Sequence, residues 1–223
     1  DLSLEAKARF AMDDKAKPLG SLGALEELAV RLCVIQGSLK PSLEHRLMLT
    51  FAAAPGIVEE GVSAFPREVS AQMVANFVAG GAAINVICAR LGIELRVVDM
   101  GVDAELGPGV VNKKVRRGTC NCAVTEAMTG EELERALRGG MEAFTEAHRE
   151  RPVDMLGVGE MGIGNTSSAA LLIASLCGIG AEGLDGLVGR GTGVDDAGLE
   201  RKRTVLRRAY ALHRLDRASA LDA

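Results

Sequence analysis

Tryptophan is absent from this sequence, tyrosine occurs once, and aromatic residues make up only 3% of its 223 positions. The core is therefore expected to be aliphatic, with alanine and glycine allowing close packing. Histidine is scarce, at three scattered positions, and Cys120 and Cys122 form an isolated C-x-C pair, so neither supplies a zinc-site pattern. The five cysteines are odd in number and irregular in spacing. That argues against a disulfide framework and for a reducing compartment, so a cytoplasmic location is expected. An excess of basic charge is also missing: a net charge of -4 gives no reason to expect a nucleic-acid partner. The basic run "KKVRRG" at 113–118 is short and has no aromatics, so it reads as a solvated loop or an anion-binding rim. Apolar runs are expected to break at glycine or charge before membrane-spanning length. The N-terminal "DLSLEAKARFAMDDKAK" lacks the apolar core of a signal peptide, so no membrane partner is expected.

What is present suffices for a folded domain. Apolar residues make up 48% of the chain, and a chain of this size hides roughly 70% of its unfolded surface on folding. Residues 3–14 read as a short amphipathic helix. Ser21 is the expected cap of a second helix running to about Gln36, with Leu22, Leu25, Leu28 and Leu32 on one face. Strands are expected at 47–54, 93–102 and 153–159, each apolar throughout. A helix is expected from Pro66 to about Leu91, stopped by Gly92, with Val69, Met73, Phe77, Ile84 and Ile87 as its buried stripe. Thr129 and Glu132 form a capping box for a helix ending near Arg149. Asn165 or Thr166 caps the next helix, to Cys177, and Asp195 or Asp196 the last, to about His213. Strands alternating with helices predict an α/β fold: a three-layer, Rossmann-like parallel sheet with helices on both faces. Residues 1–40 are expected to form a small helical lobe and 41–223 the α/β domain. Three strands make a thin sheet where about five or six are usual, so the domain reads as lacking its C-terminal part.

Sites on parallel sheets gather at the carboxyl ends of the strands. Three such ends, 54–66, 99–105 and 159–166, are polar and glycine-rich. In "GVGEMGIGNTSSAALL", Gly162 and Gly164 let the backbone approach a ligand, and the helix start offers free N–H groups to an anion. An ordinary strand-to-helix turn explains the same glycines about equally well. Glu160, expected to be partly buried there, would face another part of the ligand, such as a ring N–H or sugar hydroxyl. "GRGTG" at 189–193 is a second loop of this kind, with Arg190 or Lys202 as counter-charge, or else a flexible surface loop. Asp99, Asp103 and Glu105 could hold magnesium, but a loop cap with solvated neighbours is the stronger reading. Ser63 has no partner at a spacing that supports a nucleophile.

Five segments occur in order: "KPLGSLGALEELA", "EEGVSAFPREVSAQMVANFVAGGAAINV", "VVDMGVDAEL", "GVGEMGIGNTSSAAL" and "VGRGTGVDDAGLERK". Together they resemble the nicotinate-nucleotide–dimethylbenzimidazole phosphoribosyltransferase family of cobalamin lower-ligand synthesis, over essentially the whole chain. The resemblance implies transfer of ribose 5-phosphate from nicotinate mononucleotide to 5,6-dimethylbenzimidazole, giving α-ribazole 5′-phosphate and nicotinate. The donor is a pyridinium with an activated leaving group, so neither metal nor cofactor is implied. A homodimer is implied. By the same resemblance, Gly162, Ile163, Gly164, Asn165, Thr166 and Lys202 hold phosphate or ribose. Glu160 supports orientation near the base or ribose, and Phe65 and Met73 wall the benzimidazole, although plain helix core explains Met73 equally well.

Two departures stand out. The family usually reads Asp-His-Gly after the first strand, where this sequence has Ala54 and Pro55 before Gly56. Its C-terminal acidic motif, whose glutamate is taken as general base, has no counterpart in these residues. General-base help is typically worth ~10²–10⁴-fold. A non-catalytic relative that binds a nucleotide or benzimidazole without turnover is therefore the alternative expectation, and an inert fragment with an exposed sheet edge a third.

Overall fold

The computed structural model describes residues 2–216 and divides the chain into two units, Asp1–His45 and Arg46–Ala223. In the first unit, Ser3 caps helix α1 (Leu4–Asp13) by accepting from the Ala6 N–H at 3.1 Å. Helix α2 (Ala24–Gln36) is not capped by Ser21, as the sequence suggested. Two successive turns, closed by Ser21 N to Pro18 O and Gly23 N to Gly20 O, delay its start until Gly23. Its buried face is Val30 and Cys33, packed with Ala8 of α1. The expected leucine stripe lies elsewhere, with Leu22, Leu25 and Leu28 exposed.

The second unit contains a parallel sheet of β1 (Arg46–Ala53), β2 (Glu94–Gly101), β3 (Val110–Asn112) and β4 (Met155–Met161), in the order β3-β2-β1-β4. The three expected strands are there. β3 adds a fourth, whose three residues are too few to leave a pattern in the sequence. Parallel alternation puts Leu47, Leu49 and Phe51 on one face, where they pack with Ala143, Phe144 and Ala147 of α5 (Gly130–Glu150). On the other face Ala52 and Val97 pack against Val74 of α3 (Val69–Val78). The expectation that every strand is buried fails for β4. It pairs with β1 on one side and with no described strand on the other, leaving Val158 68% exposed.

The capping box predicted for α5 is formed: the Thr129 hydroxyl accepts from Glu132 N at 3.2 Å, and the Glu132 carboxylate accepts from Thr129 N at 2.9 Å. Thr129→Ala is expected to lower unfolding stability by about 1 kcal/mol, read by urea denaturation, because one helix-end amide loses its acceptor. A change under about 0.3 kcal/mol would show that packing alone fixes this helix end.

The single helix expected up to Leu91 is two, α3 and α4 (Ala83–Leu91). Gly80 adopts φ 79°, and Asn85 bridges the break, accepting from Ala82 N at 3.1 Å and donating to Phe77 O at 2.9 Å. Val69–Leu91 has the length, 23 residues, and mean hydropathy, 1.5, of a membrane-crossing segment, but the run breaks at Gly80, as expected of the apolar runs. Broken into helices of 10 and 9 residues, neither piece reaches the ~30 Å of a bilayer core at 1.5 Å per residue. The buried positions are also rotated from the expected stripe, to Ser70, Val74 and Cys88, while Ile87 is exposed and Met73 half-buried. Gly92 ends α4 with φ 62°, as predicted.

Beyond β4 come α6 (Asn165–Leu176), the short α7 (Ala181–Leu184) and α8 (Asp196–Leu212). Ala170, Leu171, Leu184, Leu206 and Tyr210 share the largest apolar cluster, which ties α6, α7 and α8 together. Asp195 caps α8 by accepting from Gly198 N at 2.8 Å. For α6 the cap residue is Gly164, one position before the two candidates, because its φ of 93° turns the chain off β4 into the helix.

Candidate functional site

At the carboxyl end of β4 the chain makes a tight turn that only glycine permits. A Cβ on Gly162 would lie 2.5 Å from Ala53 O and 3.1 Å from Pro55 Cδ. The turn thus rests directly on the end of β1, at the position where Ala54 and Pro55 replace the expected Asp and His. Ile163, Gly164 and Ser167 are buried, and Ile163 N donates to the buried Ser70 hydroxyl of α3 at 3.0 Å. Ser70 lies 93 residues away in sequence, so no local signal could have revealed this anchor.

The loop's amides are less free than the sequence implied. Asn165 N donates to Gly162 O and Ser167 N to Gly164 O, each at 3.0 Å, and Thr166 N donates to the Asn165 side-chain Oδ1 at 2.8 Å. Glu160 is exposed, not partly buried as expected, because β4 is an edge strand. Both of its carboxylate oxygens accept from Asn165 Nδ2, at 2.6 and 2.7 Å.

Lys202 of α8 lies beneath this loop. It is only 1% exposed; its Nζ donates to Thr166 Oγ1 at 2.7 Å and to Gly189 O at 3.1 Å. No described carboxylate pairs with it, and burial pushes its ammonium below the usual lysine range. Of the two counter-charges proposed for the 189–193 loop, Arg190 is committed to Asp196 at 2.5 Å and to Val194 O at 3.0 Å. Gly191 passes over Lys202: a Cβ there would lie 3.2 Å from Thr166 Oγ1 and 3.5 Å from Lys202 Nζ. The loop is exposed at 189–193 and touches the site through Gly189 and Gly191.

Between these loops is a small cavity of about 40 Å³, lined by Val62, Ser63, Gly164, Asn165, Thr166, Gly191 and Thr192. One water takes up ~30 Å³ of liquid, so the space as it stands is about water-sized; a phosphate would enter it only in part, with the rest of a nucleotide outside. The Ser63 and Thr192 hydroxyls are 3.1 Å apart on its wall, a pair separated by 129 residues that the sequence reading missed. Phe65 and Met73 do not line this cavity. Phe65 is 48% exposed, with its N–H donating to Ser63 Oγ at 3.3 Å, and so flanks the wall. A larger cavity of about 180 Å³ lies in the first unit and is lined by apolar side chains and Lys15. It lacks convergent polar groups.

The other charged segments are spent on structure. Asp99, only 2% exposed, accepts from Gly101 N and Val102 N and pairs with Lys114 at 3.1 Å, so of the two readings for this cluster the loop cap holds. Its neighbours are not simply solvated, since Asp103 pairs with Arg67 and Glu105 with Arg117. Within 113–118, Lys113 pairs with Glu142 and Glu146, and Arg116 with Glu132. These cations are neutralised internally, which removes the anion-rim reading. Among the described residues no group of three or more His, Cys, Asp or Glu side chains is arranged to hold a metal.

A parallel α/β sheet with glycine turns closing over a buried ammonium defines an α/β protein whose candidate ligand loops converge at the strand ends. A family model described as phosphoribosyltransferase matches residues 1–223, and the chain belongs to that family. It is 50% identical to the nicotinate-nucleotide–dimethylbenzimidazole phosphoribosyltransferase of Cupriavidus necator, over 100% of this chain and 63% of that protein. The protein of the same name from Geobacter metallireducens is 47% identical, over 100% of this chain and 62% of its own length. The crystal structure of CobT from Thermus thermophilus superposes with a TM-score of 0.87 at 48% identity, covering 94% of this chain and 62% of that one. The chain thus spans under two thirds of the length of these relatives.

Proposed function

We propose that this chain carries the donor-binding part of a nicotinate-nucleotide–dimethylbenzimidazole phosphoribosyltransferase. In this reading it takes part in transfer of ribose 5-phosphate from nicotinate mononucleotide to 5,6-dimethylbenzimidazole, as the names of its relatives describe. The observation that carries the reading is Lys202, a buried ammonium with no described carboxylate partner, bonded to Thr166 on the wall of the small cavity. Such a charge is stabilised when an anion enters beside it. The phosphate group takes the cavity between Gly164–Thr166 and Gly191–Thr192, and the sugar and ring lie towards Phe65 and Glu160. Gly162 and Ile163 hold the turn in place, and Met73 stands behind the base. Nicotinate leaves as a neutral pyridine ring bearing its carboxylate while its bond to the sugar breaks. The incoming ring forms the new bond through its unprotonated nitrogen, and the proton on its other nitrogen passes to water or a base. No metal or cofactor takes part, and the protein acts in the cytoplasm as a homodimer, without nucleic acid or membrane.

The test is direct. Nicotinate mononucleotide and dimethylbenzimidazole are incubated with this chain and, in parallel, with the full-length Cupriavidus necator relative. Formation of α-ribazole 5′-phosphate by this chain above the uncatalysed background is expected, with the relative as positive control. Calorimetric binding without product would favour the non-catalytic alternative. Absence of both would sink the reading of the site.

A further inference from the structure

Asn165 joins two parts of the site that a ligand would use separately. Its Nδ2 donates to both oxygens of Glu160, at 2.6 and 2.7 Å, while its Oδ1 accepts from Thr166 N at 2.8 Å. Thr166 N is the second amide of α6, one of those a helix start offers to an anion, and Thr166 lines the small cavity. The Asn165 side chain therefore occupies an anion-binding amide and, with its other end, holds an exposed carboxylate. Asn165 itself lines the same cavity. A planar amide is rigid, so its two ends move as one: an anion that takes the Thr166 N–H displaces Oδ1 and withdraws Nδ2 from Glu160.

Resting on the assignment of this cavity to phosphate, we propose that Asn165 is a positioning residue that couples filling of the anion cavity to release of Glu160 for the heterocycle. Without an anion, Glu160 is held by a bidentate donor and its acceptor capacity towards a ring N–H is reduced. With the anion bound, the carboxylate is free to meet the base. The device favours an order in which the phosphate end binds first, and by linkage the base must tighten phosphate binding by the same factor.

The test measures 5,6-dimethylbenzimidazole affinity of the 223-residue chain by calorimetry, with and without saturating inorganic phosphate. The unmodified chain is expected to bind the base about 5-fold or more tightly when phosphate is present, at the lower end of typical coupling. In Asn165→Ala the carboxylate is always free and the Thr166 amide uncapped. The ratio should fall to about 1, whatever the change in phosphate affinity itself. Asn165→Asp keeps the acceptor for Thr166 N but cannot donate to Glu160, so phosphate should bind more weakly and the ratio again collapse. Glu160→Gln, which replaces one of the two acceptors of Asn165 Nδ2, should lose most of the coupling. An unchanged ratio in Asn165→Ala and Glu160→Gln, with phosphate still bound, overturns the coupling and leaves the phosphate assignment standing. Failure of the unmodified chain to bind phosphate at all overturns the assignment, and the coupling with it.

Discussion

Lys202→Met is expected to weaken ribose 5-phosphate binding by roughly 10²-fold, about 3 kcal/mol, measured by calorimetry near neutral pH. The loss follows from where the ammonium lies: it is buried, has no carboxylate partner, and contributes the cavity's charge through Thr166. Ligand-free stability should change by no more than about 1 kcal/mol, because relief of a desolvated charge offsets the lost bonds to Thr166 and Gly189. The pH dependence has a definite sign. Burial lowers the folded-state pKa of Lys202 below the unfolded value of 10.5. Between those two values the unfolded chain binds the extra proton, so stability rises with pH across that window. Lys202→Met should lose this rise. Anion binding to the unmodified protein should draw a proton onto Lys202 and weaken as pH climbs through the folded-state value. A variant that retained full affinity would place the anion elsewhere.

Gly162→Ala is expected to lower stability by about 3 kcal/mol in urea denaturation and to remove phosphate binding along with it. The new methyl would sit 2.5 Å from Ala53 O, a backbone atom held in the sheet and unable to yield as a side chain does. The turn would have to lift, pulling Ile163 N away from Ser70 and opening the cavity. Gly159→Ala, three residues earlier on β4, is the internal control. Its Cβ would meet only Thr50 Oγ1, at an ordinary 3.8 Å, so a change below about 1 kcal/mol is expected. Equal effects at the two positions would show that the harm comes from losing glycine as such, with no role for contact with β1.

Much of this site was legible because its signals are local. The glycines at 162 and 164 marked a close-approach turn, and the Thr129–Glu132 box and Asp195 marked helix starts, since a cap bonds to amides two or three residues on. Lys202 was legible as one of two candidate counter-charges, but its burial was not legible at all. Glu160 was read as partly buried because strand ends usually are, yet the absence of a described neighbour on that side of β4 leaves it exposed. The basic run at 113–118 looked available to an anion, but its partners, Glu142 and Glu146 among them, come from a helix some thirty residues away. β3 was missed because three residues carry no period.

The sequence by itself determined the alternation of strands and helices, most of their ends, the family and the glycine turns, because each of these depends on side chains within a turn or two of one another. Only the tertiary structure decided which amides are already occupied, which charges are cancelled, and that one lysine ammonium is buried with no described counter-ion beneath the turn. Those properties depend on Ser70, Thr192 and Gly189 meeting residues far along the chain, and a linear reading has no term for what packing brings within 3 Å.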